Sequence, residues 1–190
     1  MNIKLSIFTT GNEMNRVYLR TLRITDVNEN YLNWFNDSDV TKFLEIRGKD
    51  LSKDIVRNYI QEGRKTKSYY MYAICLSKNK KHIGNLKIGP INYKHKVSDL
   101  IMVIGDKDYW GRGLGAEVIK LGISLAFKKH KIRKLSAGIY SGNISSIKAY
   151  KKAGFIIEGR LKEQFIVDGK YHDKIIIGCF NPDYKKSKKK

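Results

Sequence analysis

The sequence predicts an α/β (α+β) protein in one domain: a mixed, mostly antiparallel twisted sheet of about seven strands with four helices. Three observations predict it. Apolar residues alternate in some stretches and recur at helical spacing in others, and the two patterns succeed one another along the chain. The last two strand patterns are joined by Asp168-Gly169, residue types suited to the left-handed backbone of a tight hairpin. No linker or internal repeat divides the 190 residues into separate cores.

The elements follow in order. Val17 to Ile24 alternates as a half-buried strand does, and Asp26 offers an N-cap for a short helix through Trp34. After Ser52, Ile55, Val56, Tyr59 and Ile60 recur at helical spacing, with Gly63 near the expected end. Strands are expected over Tyr70 to Leu76, Lys81 to Ile88 and Asp99 to Ile104, turned by Asn79-Lys80 and then by a polar connection from Gly89 to Lys96. A long amphipathic helix begins after Gly115, its apolar stripe running from Val118 to Phe127 and its C-terminal end carrying Lys128, Lys129 and His130. Leu135 to Ile139 reads as a strand, and Asn143 to Ala153 as a helix stopped by Gly154. Phe155 to Val167 and Tyr171 to Phe180 are the closing strands. The domain is bounded at residues 17–182. Residues 1–16 form an N-terminal extension with room for an extra strand, and residues 183–190 a basic, solvated tail.

Composition excludes several classes. A 42% hydrophobic content with two prolines describes a globular chain. Cys75 and Cys179 each sit in an apolar run, outside any metal-ligand or CxxC spacing, and are expected as buried free thiols. His82, His95, His130 and His172 are scattered singly, so no metal site is expected. No apolar stretch approaches the ~20 residues needed to cross a bilayer. The opening Met1 to Thr10 is too short and polar for a signal peptide, which makes the cytoplasm the expected location.

The net charge of +20 raises the local concentration of anionic ligands. Lysine supplies 29 of the 38 basic residues, lacks the bidentate fork that reads base edges, and is spread along the chain, so no specific nucleic acid is expected as partner. A basic RNA- or ribosome-binding module is the non-enzymatic alternative. Monomer and homodimer are both left open.

The chemistry-bearing segment runs from Asp99 through Tyr109-Trp-Gly-Arg-Gly-Leu-Gly-Ala-Glu117: strand, glycine-rich turn, helix start. Gly111, Gly113 and Gly115 allow positive φ and leave no Cβ in the way, so consecutive amides can converge on a phosphate at a helix N-terminus, with Arg112 as a cation on the rim. Gly111-x-Gly113-x-x-Ala116 also satisfies the loose dinucleotide fingerprint. Against that reading, the motif starts past mid-chain, follows antiparallel-looking strands, and precedes a strand ending in Ile139-Tyr-Ser-Gly142 without a ribose-holding acid. No Gly-Lys-Ser/Thr follows, which excludes a Walker loop.

The stretch from Asp99 to Glu117 resembles the acetyl-CoA motif of the GNAT superfamily, with Trp110 in place of the usual Gln or Arg. Asn143-Ile-Ser-Ser146-Ile-Lys-Ala-Tyr150-Lys-Lys-Ala-Gly154-Phe155 matches a second GNAT signature at every named position. The Trp110 departure is similar to the branch holding ribosomal-protein N-terminal, spermidine and amino-sugar acetyltransferases.

The resemblance implies a GNAT-like domain using acetyl-CoA as co-substrate, held by Met102, Val103, Ile104, Trp110, Gly111, Arg112, Gly113, Leu114, Gly115, Ala116, Asn143 and Ser146. It implies direct attack by a neutral amine on the thioester through a tetrahedral oxyanion, met by a main-chain N–H near Met102 to Ile104. Tyr150 would protonate the departing thiolate, and Asp99 is the leading base. The acceptor pocket would draw on Trp34, Asn36, Asp37, Phe43, Glu45, Arg47, Glu163, Tyr171 and Asp173. A +20 surface favours a nucleotide-linked amino sugar as acceptor, then a protein N-terminus, then a polyamine.

Overall fold

The computed structural model describes residues 15–46 and 51–186. The chain enters as β1 (Val17–Thr21), makes a 3-10 turn at Ile24–Asp26, and continues as α1 (Glu29–Asn36), α2 (Ser38–Thr41) and α3 (Lys53–Thr66). Three strands follow, β2 (Tyr70–Leu76), β3 (His82–Asn92) and β4 (Val97–Ile104), then α4 (Leu114–Lys128), β5 (Lys134–Tyr140) and α5 (Ile144–Lys152). β6 (Ile156–Val167), β7 (Lys170–Phe180) and α6 (Pro182–Lys186) are the last elements of the described residues. One seven-stranded sheet has the order β1-β2-β3-β4-β5-β7-β6.

Among the described residues the four expected helices, each of eight residues or more, are present, and two short ones are added. The additions, α2 and α6, have four and five residues, too short for periodicity to register. Asp26 does not cap α1. It takes both terminal nitrogens of Arg20, at 2.6 and 2.8 Å, while Asn28 caps the helix by accepting the Tyr31 N–H at 3.1 Å. The first strand accordingly stops at Thr21. α3 follows Ser52 as expected, with Ser52 as its N-cap, but Gly63 lies within it, buried against Tyr69, and the helix ends at Lys67 in the left-handed region. β3 runs on to Asn92 with a register shift between Ile88 and Ile91, which shortens the polar connection to residues 93–96. Asp168 and Gly169, at φ 50° and 72°, make the hairpin turn between β6 and β7.

Two cores cover the two faces of the sheet. On one, α4 and α5 bury Leu100, Val118, Ile119, Leu121, Leu125, Leu135 and Ile177. Burying a side chain of this size stabilises by about 1.5–3 kcal/mol. α4 approaches closely because it carries Gly122, where a Cβ would stand 2.7 Å from Leu86 and 3.0 Å from Leu100. On the other face, α1 and α3 bury Tyr31, Phe35, Val56 and Ile60 against Ala73 and Cys75. Cys75 and Cys179 are buried free thiols. Among the described residues no helix is long and apolar enough to cross a membrane.

One feature of the sheet positions the site. β4 and β5 are parallel, joined by α4, and pair only over Val97–Asp99 with Lys134–Ser136. Beyond Asp99 the strands part, leaving a fork between Leu100–Ile104 and the end of β5.

Candidate active site

A groove of about 630 Å³ opens at the fork. One wall is the end of β4 (Met102, Val103, Ile104) with Tyr109, Trp110, Gly111 and the start of α4 (Gly113 to Ala116). The opposite wall is α5, through Asn143, Ser145, Ser146, Lys148, Ala149 and Lys152, and the far end is closed by Asp39, Val40, Phe43 and Leu44. Eleven of the twelve residues expected around a donor therefore come together here.

Arg112 is the exception: its carbonyl accepts the Arg16 guanidinium at 2.9 Å, and its own guanidinium lies 5.3 Å from the Tyr109 ring centre. Arg16 also pairs with Glu117 at 3.1 Å, and the Val17 N–H reaches the other carboxylate oxygen at 3.2 Å. This ties β1 to the first turn of α4 and neutralises an acid that would otherwise repel an anion there.

The loop fits a diphosphate. Gly111 and Gly113 take φ 71° and 75°, a backbone open to glycine, and a Cβ at Gly111 would meet nothing within 4 Å. Gly113 is the N-cap of α4 and has no side chain to satisfy the first-turn amides, which leaves them for a ligand. Trp110 lines the groove, its indole N–H donating to the Ile104 carbonyl at 2.7 Å. Asn143 caps α5, its oxygen accepting from the Ser146 N–H and the Ser145 hydroxyl, both at 3.1 Å.

Tyr150 reaches into the fork from α5. It is 4% exposed, and its hydroxyl donates to the Leu100 carbonyl at 2.7 Å. Burial pushes its pKa far above the ordinary tyrosine value, with Asp99 adding to the rise and the Met102 N–H opposing it. The phenol therefore keeps its proton at neutral pH. Asp99 stands at the last β4–β5 pair. Burial raises its pKa above the usual carboxylate range, against the pull of Lys174 and Lys87. An acid that holds its proton and a carboxylate made more basic thus stand near enough to interact at the start of the β4–β5 fork, although neither Tyr150 nor Asp99 lines the groove itself.

The expected acceptor residues are dispersed. Trp34 packs under the loop against Gly105 and edge-on to His82, 5.0 Å between ring centres, and does not line the groove. Asp37 caps α2 and pairs with Lys107 at 2.7 Å, so its charge is spent structurally. Asp173 is likewise taken by Arg160, Lys162 and the Glu163 N–H. Asn36 and Glu45 are exposed and do not line the groove, and Glu163 and Tyr171 are exposed on the β6–β7 hairpin. Arg47 lies outside the described residues.

An unanticipated aromatic wall stands there instead. Tyr140 stacks on Phe165 with centres 3.7 Å apart, Phe43 lies 5.8 Å from Tyr140, and Phe43 and His172 converge where a Cβ on Gly142 would be. Phe43 was legible as a suspect; its partners, four strands and turns away, were not.

The fold and the groove, with a loop suited to phosphate, are those expected of an acyltransferase that uses a phosphate-bearing donor. The chain belongs to the GNAT acetyltransferase family, whose acetyltransferase (GNAT) domain matches residues 16–156. It is an N-acetyltransferase with acetyl-CoA as co-substrate. It is 26% identical over 173 residues to the probable N-acetyltransferase YjcK of Bacillus subtilis, covering 88% of this chain and 95% of that one. It is 29% identical to the spermidine N(1)-acetyltransferase of Escherichia coli K12 over 101 residues, 53% of this chain and 54% of the relative. The fold matches spermidine N-acetyltransferase from Vibrio cholerae in complex with CoA and spermine, with a TM-score of 0.80 at 20% identity over 90% of this chain and 98% of that one. It also matches ribosomal-protein-S5-alanine acetyltransferase from Vibrio fischeri, with a TM-score of 0.77 at 18% identity over 93% and 99%.

Proposed function

We propose that the chain transfers acetyl from acetyl-CoA to a small-molecule primary amine by direct attack at the β4–β5 fork. The groove between the glycine loop and α5 carries this reading, with Tyr150 bonded to Leu100 at the fork and close enough to Asp99 to feel its charge. Acetyl-CoA supplies an activated carbonyl on a thiol leaving group. The first-turn amides of α4 and the glycine loop hold its diphosphate, Asn143 and Ser146 face its pantetheine arm, and the main chain of β4 past Leu100 offers N–H groups to a developing oxyanion. Asp99 takes the proton that the attacking ammonium must lose, directly or through a water. Tyr150 gives its proton to the thiolate, exchanging its bond to Leu100 for one to sulfur.

For the acceptor we favour a polyamine, against the order that net charge alone suggests. The relatives named above include spermidine acetyltransferases. The wall of Phe43, Tyr140, Phe165 and His172 offers ring faces to an ammonium, and the exposed Glu45 close to Tyr140 supplies a compensating charge. Long-range repulsion by a +20 chain is screened within about 8–10 Å at ordinary ionic strength. A nucleotide-linked amino sugar is the second reading, favoured by Lys87 and Lys174, whose charges act on Asp99.

Thiol release measured against spermidine, spermine, a nucleotide-linked amino sugar and a peptide N-terminus separates these readings. Turnover with polyamines is expected. Turnover with the sugar alone moves the acceptor to the second reading, and no saturable acetyl-CoA binding at all removes the enzymatic one.

A further inference from the structure

The donor has two separated anionic groups, and the glycine loop accounts for one. Amides at a helix start suit the diphosphate, but the ribose 3′-phosphate of coenzyme A lies apart from it. Across the groove from the loop, α5 presents Ser145, Lys148, Ala149 and Lys152, a stripe at i, i+3, i+4 and i+7. The two walls approach where a Cβ on Gly115 would lie 3.5 Å from Ala149.

The helix dipole accounts for basic residues in the last turn, Lys151 and Lys152. It does not account for Lys148, in mid-helix, nor for the choice of Lys152 over Lys151 as a groove residue. Among the described residues no ion pair engages Lys148 or Lys152, as holds for most of the lysines, so their ammonium groups are open to an anion; what sets these two apart is their place on the groove. The α5 amides past the first turn are bonded within the helix, so side chains alone can receive an anion on this wall. The cation expected from sequence, Arg112, is on the loop's side of the groove, 5.3 Å from the ring centre of Tyr109, a residue of that wall.

We propose that Lys148 and Lys152 form the subsite for the ribose 3′-phosphate and select coenzyme A over dephospho-coenzyme A. This rests on the reading of the groove as the acetyl-CoA site. Two ammonium groups one turn apart can share the oxygens of one dianion, and that contact is absent when the donor ends in a free hydroxyl.

Equilibrium binding of acetyl-CoA and acetyl-dephospho-CoA, by calorimetry at about 50 mM salt, tests it in the wild type and in K148M/K152M. Methionine keeps the length and helix preference of the replaced stems. The wild type is expected to prefer acetyl-CoA by about tenfold. The double variant is expected to lose most of that preference through weaker acetyl-CoA binding alone, with the dephospho form unaffected. Equal weakening of both donors would assign the lysines to the diphosphate and overturn the proposal. An unchanged preference in the variant, or none in the wild type, overturns it too. If the wild type binds neither donor, the donor assignment itself has failed, a result distinct from these.

Discussion

The Tyr150 hydroxyl donates at 2.7 Å to the carbonyl of Leu100, the first residue of β4 that β5 no longer pairs. A side chain thus occupies a main-chain acceptor that the parting of two strands has freed. The proposed proton donor is thereby seated by the same irregularity that makes room for the donor.

Replacing Tyr150 with Phe removes the proton and keeps the ring that packs edge-on against Phe155 at 5.0 Å. We expect kcat to fall by about 10²-fold with acetyl-CoA affinity unchanged. Steady-state kinetics beside calorimetric binding checks this. Unchanged kcat, in conditions where chemistry limits the rate, removes Tyr150 from the reaction.

Asp99→Asn should lower kcat/KM by about 10-fold or more and change the shape of its pH profile. Burial raises the Asp99 pKa above the ordinary carboxylate value of about 3.9, so the active, ionised form is lost as pH falls through that raised value. The wild-type profile should bend downward on this acid limb. If the Asn variant keeps the same limb, another group is the base.

Gly113→Val places a branched side chain at φ 75° on the N-cap of α4 and in the groove lining. Loss of acetyl-CoA affinity by at least about tenfold is expected, with the far-UV circular dichroism of a folded protein retained. Wild-type affinity in this variant would show that the loop does not hold the donor.

Asp26→Asn tests the fold beside the site. Burial pushes the Asp26 carboxyl up, yet its bonds to Arg20 and to the Arg23 N–H bring it below its usual value. A depressed folded pKa contributes stability above the unfolded value of about 3.9 and loses it as pH falls through the folded one. The pair is largely sheltered, with side-chain exposures of 14% and 12%. Urea unfolding at pH 7 should show about 1–3 kcal/mol lost in the variant, and the gap to wild type should close as pH falls below 4. A gap independent of pH would mean that ionisation of Asp26 is not what stabilises this turn.

What could be read from the sequence was contiguous. Met102 to Ile104, Trp110 to Ala116 and Asn143 to Ser146 are short contiguous stretches, so the motif resemblance could name eleven donor residues that line one groove. What could not be read depends on partners far along the chain. Asp37 looked free for an acceptor until Lys107 closed on it, and Trp34 looked like a pocket residue until Gly105 proved to be its packing partner. Asp26 had the residue type of an N-cap, but a guanidinium six positions earlier competed for it and Asn28 took the role. The groove face of α5 was legible at i, i+3, i+4 and i+7, but two of its residues are lysines in a chain already rich in them, which hid the stripe.

Closing the β4–β5 fork with a phenol, and with no further strand, has a thermodynamic corollary. A polar chain sliding between the two strands competes with a single tie to a tyrosine and leaves every inter-strand ladder whole. Occupancy should therefore register as slowed amide exchange at residues 100–104, with the curvature of the surrounding scaffold preserved.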